Sequence, residues 1–247
     1  ILDQLNEAQR EAVSAPLGHA LVLAGAGSGK TRVLTQRIAW LAEVEGLSPF
    51  SIMAVTFTNK AAAEMRHRIE SQLAMPLRGM WVGTFHGLAH RFLRSHWQDA
   101  GLDQNFQILD ADDQLRMVRR VMAALDVDEK KWPPRQSVWW INAQKDEGLR
   151  AEHIHDQGDL FVQVQLRIYG AYQEACERGG LVDFAELLLR MHETLLNQPA
   201  LLEHYQRRFQ AILVDEFQDT NALQYAWLRV LAGNASQVMV VGDDDQS

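Results

Sequence analysis

The residues with the most evident chemistry lie in one run, Ala24-Gly25-Ala26-Gly27-Ser28-Gly29-Lys30-Thr31. The apolar segment Ala20-Leu21-Val22-Leu23 precedes it, and a helical pattern follows from Thr31. Strand, glycine turn and helix in that order make a loop that can hold a polyphosphate. The glycines let backbone N–H groups converge on the anion, and the helix directs its positive N-terminal end at the same charge. In such a loop Lys30 reaches the β- and γ-phosphates and the Thr31 hydroxyl ligates magnesium. Ala24 stands where the strict pattern has glycine, and the competing reading is a glycine-rich turn with an incidental lysine. A second group is Ile212-Leu213-Val214-Asp215-Glu216, an apolar run ending in two carboxylates. In a nucleoside triphosphatase an aspartate so placed holds magnesium, and the glutamate beside it orients and deprotonates the attacking water. Taken alone, the pair could equally cap the next turn.

Elements that would position these groups are visible as further apolar runs ending in polar residues. Ile52-Met53-Ala54-Val55-Thr56-Phe57-Thr58-Asn59, Met80-Trp81-Val82-Gly83-Thr84-Phe85-His86 and Val238-Met239-Val240-Val241-Gly242-Asp243-Asp244 repeat the theme. Short continuous apolar runs with helices between them predict a parallel sheet covered on both faces. Ligands of such sheets bind outside the carboxyl ends of the strands, where all five polar clusters fall. Helices fill the intervals. One runs from Thr31 to Glu45 and stops at Gly46; Asn59 is the expected N-cap of another over Lys60–Leu73. From about Ala89 to Arg208 the pattern is nearly all helical. Asp110 caps one helix there, and Asp183 another, with Glu186 as its capping-box partner. Trp132-Pro133-Pro134-Arg135 ends one helix and starts the next. This stretch reads as a helical insertion packed by Trp132, Trp139 and Trp140, with Arg116, Arg119 and Arg120 on a solvated face.

Composition narrows the class. The chain has 247 residues, 47% of them hydrophobic, a net charge of −8 and one cysteine, Cys176. That length buries a substantial core, and a lone cysteine excludes an internal disulfide and a cysteine-rich zinc site. His86 and His90 are spaced as metal ligands on a helix, but no third ligand presents itself. No run reaches the length of a membrane span, no leader is visible at Ile1, and a cytoplasmic protein is expected. The negative charge argues against a broad basic face for duplex DNA. A narrow single-strand groove that relies on stacking stays compatible with it. Phe57, Phe85 and His86 offer flat rings at strand ends, and Thr56, Asn59 and Thr84 offer phosphate contacts. The competing reading makes the phenylalanines core residues and His86 a satisfied interior histidine.

Asp215-Glu216-Phe217-Gln218-Asp219-Thr220 resembles the D-E-x-Q-D signature of superfamily 1 DNA helicases, in particular the UvrD/Rep/PcrA branch. The phosphate loop, with alanine first, is similar to that family's own form. Asn6-Glu7-Ala8-Gln9-Arg10 resembles its glutamine motif. Thr56-Phe57-Thr58-Asn59-Lys60-Ala61-Ala62 and Val82-Gly83-Thr84-Phe85-His86-Gly87 resemble its two early strand-contacting motifs. Leu181-Val182-Asp183-Phe184 resembles a further segment, and Val241-Gly242-Asp243-Asp244-Asp245-Gln246-Ser247 the start of its motif III. The likeness spans essentially the whole chain.

The resemblance implies an α/β fold: a RecA-like P-loop NTPase parallel sheet (domain 1A, residues 1–88 and 209–247) carrying an inserted, mainly helical subdomain (domain 1B, residues 89–208). It implies ATP and Mg2+ as cofactors. ATP would lie on Ala24, Gly25, Ala26, Gly27, Ser28, Gly29, Lys30, Thr31 and Arg32, with Gln9 on the adenine edge. Thr31 and Asp215 would hold the metal, and Lys30, Glu216 and Gln246 would act on the γ-phosphate. Thr56, Phe57, Asn59, Thr84 and His86 would meet the DNA. The implied activity is 3′-to-5′ DNA unwinding and translocation in nucleotide excision and mismatch repair, in the cytoplasm at the nucleoid. Expected partners are single-stranded DNA, single-strand/duplex junctions and repair proteins, with no membrane. The stretch itself is expected to be monomeric, and whether its parent is a monomer or a dimer stays open. Ser247 falls inside motif III, and in this family arginines of a second motor domain complete the site. The stretch alone is therefore expected to bind ATP and single strands weakly, with little hydrolysis or unwinding. Two other classes stay in view: a phosphate-loop ATPase with no nucleic-acid partner, and a binding module without turnover.

Overall fold

The computed structural model describes residues 1–25, 27, 29–233 and 237–243. In chain order the elements are α1 (Glu7–Ser14), β1 (Ala20–Leu23), α2 (Lys30–Glu43), β2 (Ile52–Thr56), α3 (Asn59–Leu73), β3 (Trp81–Thr84), α4 (Phe85–Ser95), β4 (Gln107–Leu109), α5 (Ala111–Ala124), α6 (Pro134–Asp146), α7 (Leu160–Gly179), β5 (Leu181–Asp183), α8 (Phe184–Asn197), α9 (Pro199–Arg208), β6 (Ala211–Val214), α10 (Ala222–Ala232) and β7 (Gln237–Gly242). They fall into two compact units. One comprises Ile1–Leu88, Gln198–Thr220 and Leu228–Ser247, the other Ala89–Asn197 and Asn221–Trp227. No helix among the described residues is long and apolar enough to cross a membrane.

The first unit is built on a five-stranded sheet in the order β1-β7-β6-β2-β3. Every neighbouring pair is parallel, so all five carboxyl ends lie along one edge. The central strands β2 and β6 are buried at every position, as continuous Ile/Val/Leu/Ala runs require. Leu34 and Ile38 of α2, Met65 and Ile69 of α3, and Leu213 and Val241 of the sheet share one core. Coverage on both faces fails at β1, where burial alternates and Leu21 and Leu23 are exposed. An edge strand has one neighbour fewer, so helices that span the centre of the sheet leave its outer face open. The unit also takes in α9, which the sequence pattern assigns to the helical stretch: Tyr205 and Phe209 pack edge-on against Trp81 at 5.7 and 5.4 Å.

In the second unit α5, α6 and α7 enclose Val118, Met122, Ile141, Ile168, Tyr169 and Tyr172. It is not wholly helical, because β4 and β5 form a short parallel pair. Asp110 caps α5 by accepting the Asp113 N–H at 2.8 Å. Asp183 accepts the Glu186 N–H at 2.7 Å, but the expected capping box is only half made. The Glu186 carboxylate turns instead to Lys145 at 2.9 Å and to both guanidinium nitrogens of Arg150 at 2.5 and 2.6 Å. A buried carboxylate needs a cation more than a helix end needs a second cap. Trp132 and Trp140 pack against the core, whereas Trp139 is exposed and does not.

Candidate nucleotide and nucleic-acid site

The phosphate loop is shaped by two glycines in the left-handed region, Gly27 at φ +77° and Gly29 at φ +79°. Side chains are strained there, which is why glycine recurs at these spacings. Gly29 is also the N-cap of α2 and has no side chain to satisfy the first-turn N–H groups, so these are directed at whatever anion occupies the loop. Ala24 begins the loop with its N–H donating to the Gly242 carbonyl at 3.2 Å. Ala26, Ser28 and Gln246 lie outside the described residues.

Helix α1 is locked to this loop. Asn6 and Gln9 form a capping box, with the Gln9 side chain accepting from the Asn6 N–H at 3.0 Å. The other end of the Gln9 amide abuts the loop, since a Cβ on Gly29 would lie 2.9 Å from Gln9 Nε2. Arg32 donates to Gln4 at 2.9 Å, and the buried Arg37 donates to the carbonyls of Val13 and Ala15 at 2.8 and 2.6 Å. These bonds carry Gln9 to the mouth of the loop.

Lys30 and Thr31 come together with Asp215, which is remote from them in sequence. Thr31 Oγ1 donates to Asp215 Oδ2 at 3.2 Å, and Lys30 Nζ lies 3.1 Å from the Ala24 carbonyl and 3.5 Å from Asp243 Oδ2. Asp215 is 5% exposed. Burial pushes its carboxyl above the ordinary value, against the opposing pull of the Thr31 hydroxyl, the Glu216 N–H and Lys30. A buried carboxylate beside a threonine hydroxyl is a hard-oxygen donor set, which suits magnesium. Glu216 sits at φ +52°, a conformation that costs a non-glycine residue about 1 kcal/mol or more and that gathers at functional sites. Its carboxyl is raised by burial first and then by Asp215 and Asp219, with Lys30 acting against them. These groups line a cavity of about 680 Å³ that also receives Arg68 and Glu64 from α3. Arg68 was missed in the sequence. Its only local signal is the (i, i+4) pair with Glu64, 2.6 Å in the structure, which reads as ordinary helix surface.

The strand-end aromatics lie on the same edge, beyond β2 and β3. Phe57 is half-buried and meets Phe85 edge-on at 5.3 Å. Phe85 is 1% exposed, so it braces Phe57 and offers no stacking face of its own. Thr56 is also 1% exposed, and its burial closes it to a phosphate. Thr84 is buried too, its hydroxyl accepting the Gly87 N–H at 3.0 Å to shape the start of α4. Asn59 is exposed, but the N-cap of α3 is Thr58, which accepts from the Ala61 N–H at 3.1 Å. The shift of one residue leaves the Asn59 side chain outside the cap. His86 is half-buried, and burial lowers its pKa, favouring the neutral ring at physiological pH.

Residues 5–247 match the family described as the UvrD/REP helicase N-terminal domain. The chain belongs to this family. It is 66% identical over 247 residues to DNA helicase II of Escherichia coli, covering 100% of this chain and 34% of that protein. It is 61% identical over 251 residues to DNA helicase II of Haemophilus influenzae and 41% identical over 248 residues to ATP-dependent DNA helicase PcrA of Bacillus subtilis, with the same coverage. The chain thus spans about a third of the length of these UvrD/REP relatives.

Proposed function

We propose that this chain is the ATP-binding motor portion of a 3′-to-5′ DNA helicase, with the sheet unit as domain 1A and the helical stretch as domain 1B. The observation that carries the reading is the Thr31–Asp215 contact of 3.2 Å beside Lys30, on the same sheet edge as Phe57. Lys30 and the first-turn N–H groups of α2 bind the triphosphate, Arg68 reaches it from α3, and Gln9 meets the base. Thr31 and Asp215 hold magnesium, which when bound draws charge from the β- and γ-phosphates. Glu216 orients a water against the γ-phosphate and takes its proton, helped by a carboxyl already raised above its ordinary value. Lys30 stabilises the charge that develops on the leaving oxygens.

The strand order supports coupling to DNA. Strand β6, which ends in Asp215 and Glu216, lies between β7 and β2, so the catalytic carboxylates neighbour the strand that carries Phe57. β1 and β2 are three strand spacings apart, roughly 14 Å, which is short enough for a shift at one ligand to alter the other. Phe57 stacks on an unpaired base, while Asn59 and His86 contact the backbone. Stacking tolerates any sequence, as a motor requires. In the full-length protein the partners are single strands, single-strand/duplex junctions and excision- and mismatch-repair proteins, in the cytoplasm at the nucleoid. Steady-state ATPase of the full-length protein with and without a single-stranded oligonucleotide, at fixed salt, tests the reading. Stimulation by the oligonucleotide supports it; unchanged turnover would remove the nucleic-acid half.

A further inference from the structure

Resting on the ATPase reading above, we infer that Gln218 is a positioning residue that clamps the end of β7 to the turn carrying Glu216. Strand β6 ends at Val214, and the chain then turns away through Asp215 and Glu216 into a short 3₁₀ turn over Phe217–Asp219. Its neighbour β7 continues to Gly242 and so outruns the backbone acceptors of β6. Gln218 supplies the missing acceptor: its Oε1 takes the Asp243 N–H at 3.0 Å. The carbonyl of the same peptide unit, that of Gly242, accepts the Ala24 N–H at 3.2 Å. The two groups of a trans peptide point in opposite directions. One rigid peptide unit is therefore held from the phosphate loop on one side and from the turn behind Glu216 on the other.

Two further contacts give this peptide a catalytic reach. The Asp243 carboxylate lies 3.5 Å from Lys30 Nζ, so its backbone position affects the lysine that meets the phosphates. Gln218 itself lines the cavity that holds Lys30, Thr31 and Glu216. The neighbouring glycine is also accounted for, because a Cβ on Gly242 would stand 3.1 Å from Gln218 Oε1. Glycine leaves clearance for the amide there, and its backbone is not in the left-handed region. Loss of the clamp removes no phosphate ligand but lets Glu216 drift relative to Lys30, which impairs turnover more than binding.

The test is a kinetic double-mutant cycle in the full-length helicase, with Gln218→Met, which keeps length but removes the acceptor, and Gly242→Ala, which crowds it. Gln218→Met is expected to lower DNA-stimulated kcat by about 10- to 100-fold, the loss a small misplacement causes, with KM for ATP changed by less than about 3-fold. Gly242→Ala should lower kcat as well. The losses should combine less than multiplicatively in the double variant, because the added methyl then displaces no hydrogen-bonded amide. Wild-type kcat in Gln218→Met, equal losses in kcat and nucleotide affinity, or single losses that multiply in the double variant would each overturn the clamp. A wild-type protein that hydrolyses no ATP, with or without DNA, would instead refute the ATPase reading, so the two failures are distinguishable.

Discussion

Glu216→Gln separates proton transfer from every other role of the site. The substitution keeps side-chain size. The Glu216 N–H that donates to Asp215 Oδ1 at 2.9 Å belongs to the backbone and persists. The cost of φ +52° is the same for Gln as for Glu, so the turn has no new reason to rearrange. Removing the charge beside Asp215 favours ionised Asp215, the form the proposed metal site requires. What disappears is the proton acceptor, and a positioned general base contributes about 10²- to 10⁴-fold. That factor corresponds to roughly 3–5 kcal/mol of activation free energy. Full-length Glu216→Gln at saturating oligonucleotide should therefore hydrolyse ATP about 10²- to 10⁴-fold more slowly while binding a fluorescent ATP analogue as wild type does. The pH profile adds a second check. Burial, then Asp215 and Asp219, raise the Glu216 pKa in the folded protein. The base works only when deprotonated, so wild-type turnover falls as pH drops through that raised value. The variant should lack this acid limb. Turnover within about 10-fold of wild type, well short of a lost general base, or an acid limb that persists, would refute the assignment.

Three other perturbations probe neighbouring parts. Thr31→Ala removes the hydroxyl 3.2 Å from Asp215 and should raise the Mg2+ concentration for half-maximal ATPase by roughly 10- to 100-fold, read from a metal titration. Phe57→Ala should weaken single-strand binding about 5- to 150-fold, the equivalent of one base stack at 1–3 kcal/mol, in fluorescence anisotropy at fixed salt. Thr56→Ala, at a buried position, should leave that affinity near wild type. Lys145→Met leaves a cavity-sized apolar group against Asp183 and Glu186, both 2.9 Å from the ammonium in the wild type, and should cost about 3–5 kcal/mol in denaturant unfolding. The wild type also has an acid limb in stability. Burial pushes the Glu186 pKa up, but Lys145, Arg150 and Arg190 outweigh it and hold the pKa well below the ordinary range. Its contribution is therefore full above that range and is lost as pH falls toward the folded value.

What could be read from the sequence is what local backbone chemistry decides. Gly27 and Gly29 recur because their φ angles strain any side chain, and that constraint shows within the local run itself. The runs Ile52–Thr56 and Ala211–Val214 announce central parallel strands because both of their faces are buried. From these alone, Lys30, Thr31, Asp215 and Glu216 can be brought to one edge. The orientation of a residue just past a strand end is different. Phe57 and Phe85 look alike in sequence, yet one is half-exposed and the other, buried at the start of α4, meets it edge-on, because β3 passes directly into its helix while β2 is followed by a short connection to α3. Thr58 and Asn59 are equally good caps on paper, and only the helix start decides between them.

Long-range satisfaction is the part that local pattern cannot supply. Glu186 has the spacing of a capping-box partner to Asp183, but Lys145 and Arg150 lie far upstream in the chain and outbid the helix end for its carboxylate. Lys145 itself, 1% exposed near the end of α6, looks in sequence like a helix-terminal surface cation. Gln218 belongs to the same class. Within Asp215-Glu216-Phe217-Gln218-Asp219 it has no evident partner, because the group it serves is a backbone N–H on a strand of later sequence. A polar side chain in a tight motif therefore calls for two separate questions. The first is what chemistry its type permits, which the sequence answers. The second is which unpaired donor or charge the fold delivers to it, and for Glu186, Lys145 and Gln218 that donor or charge arrives from another element altogether.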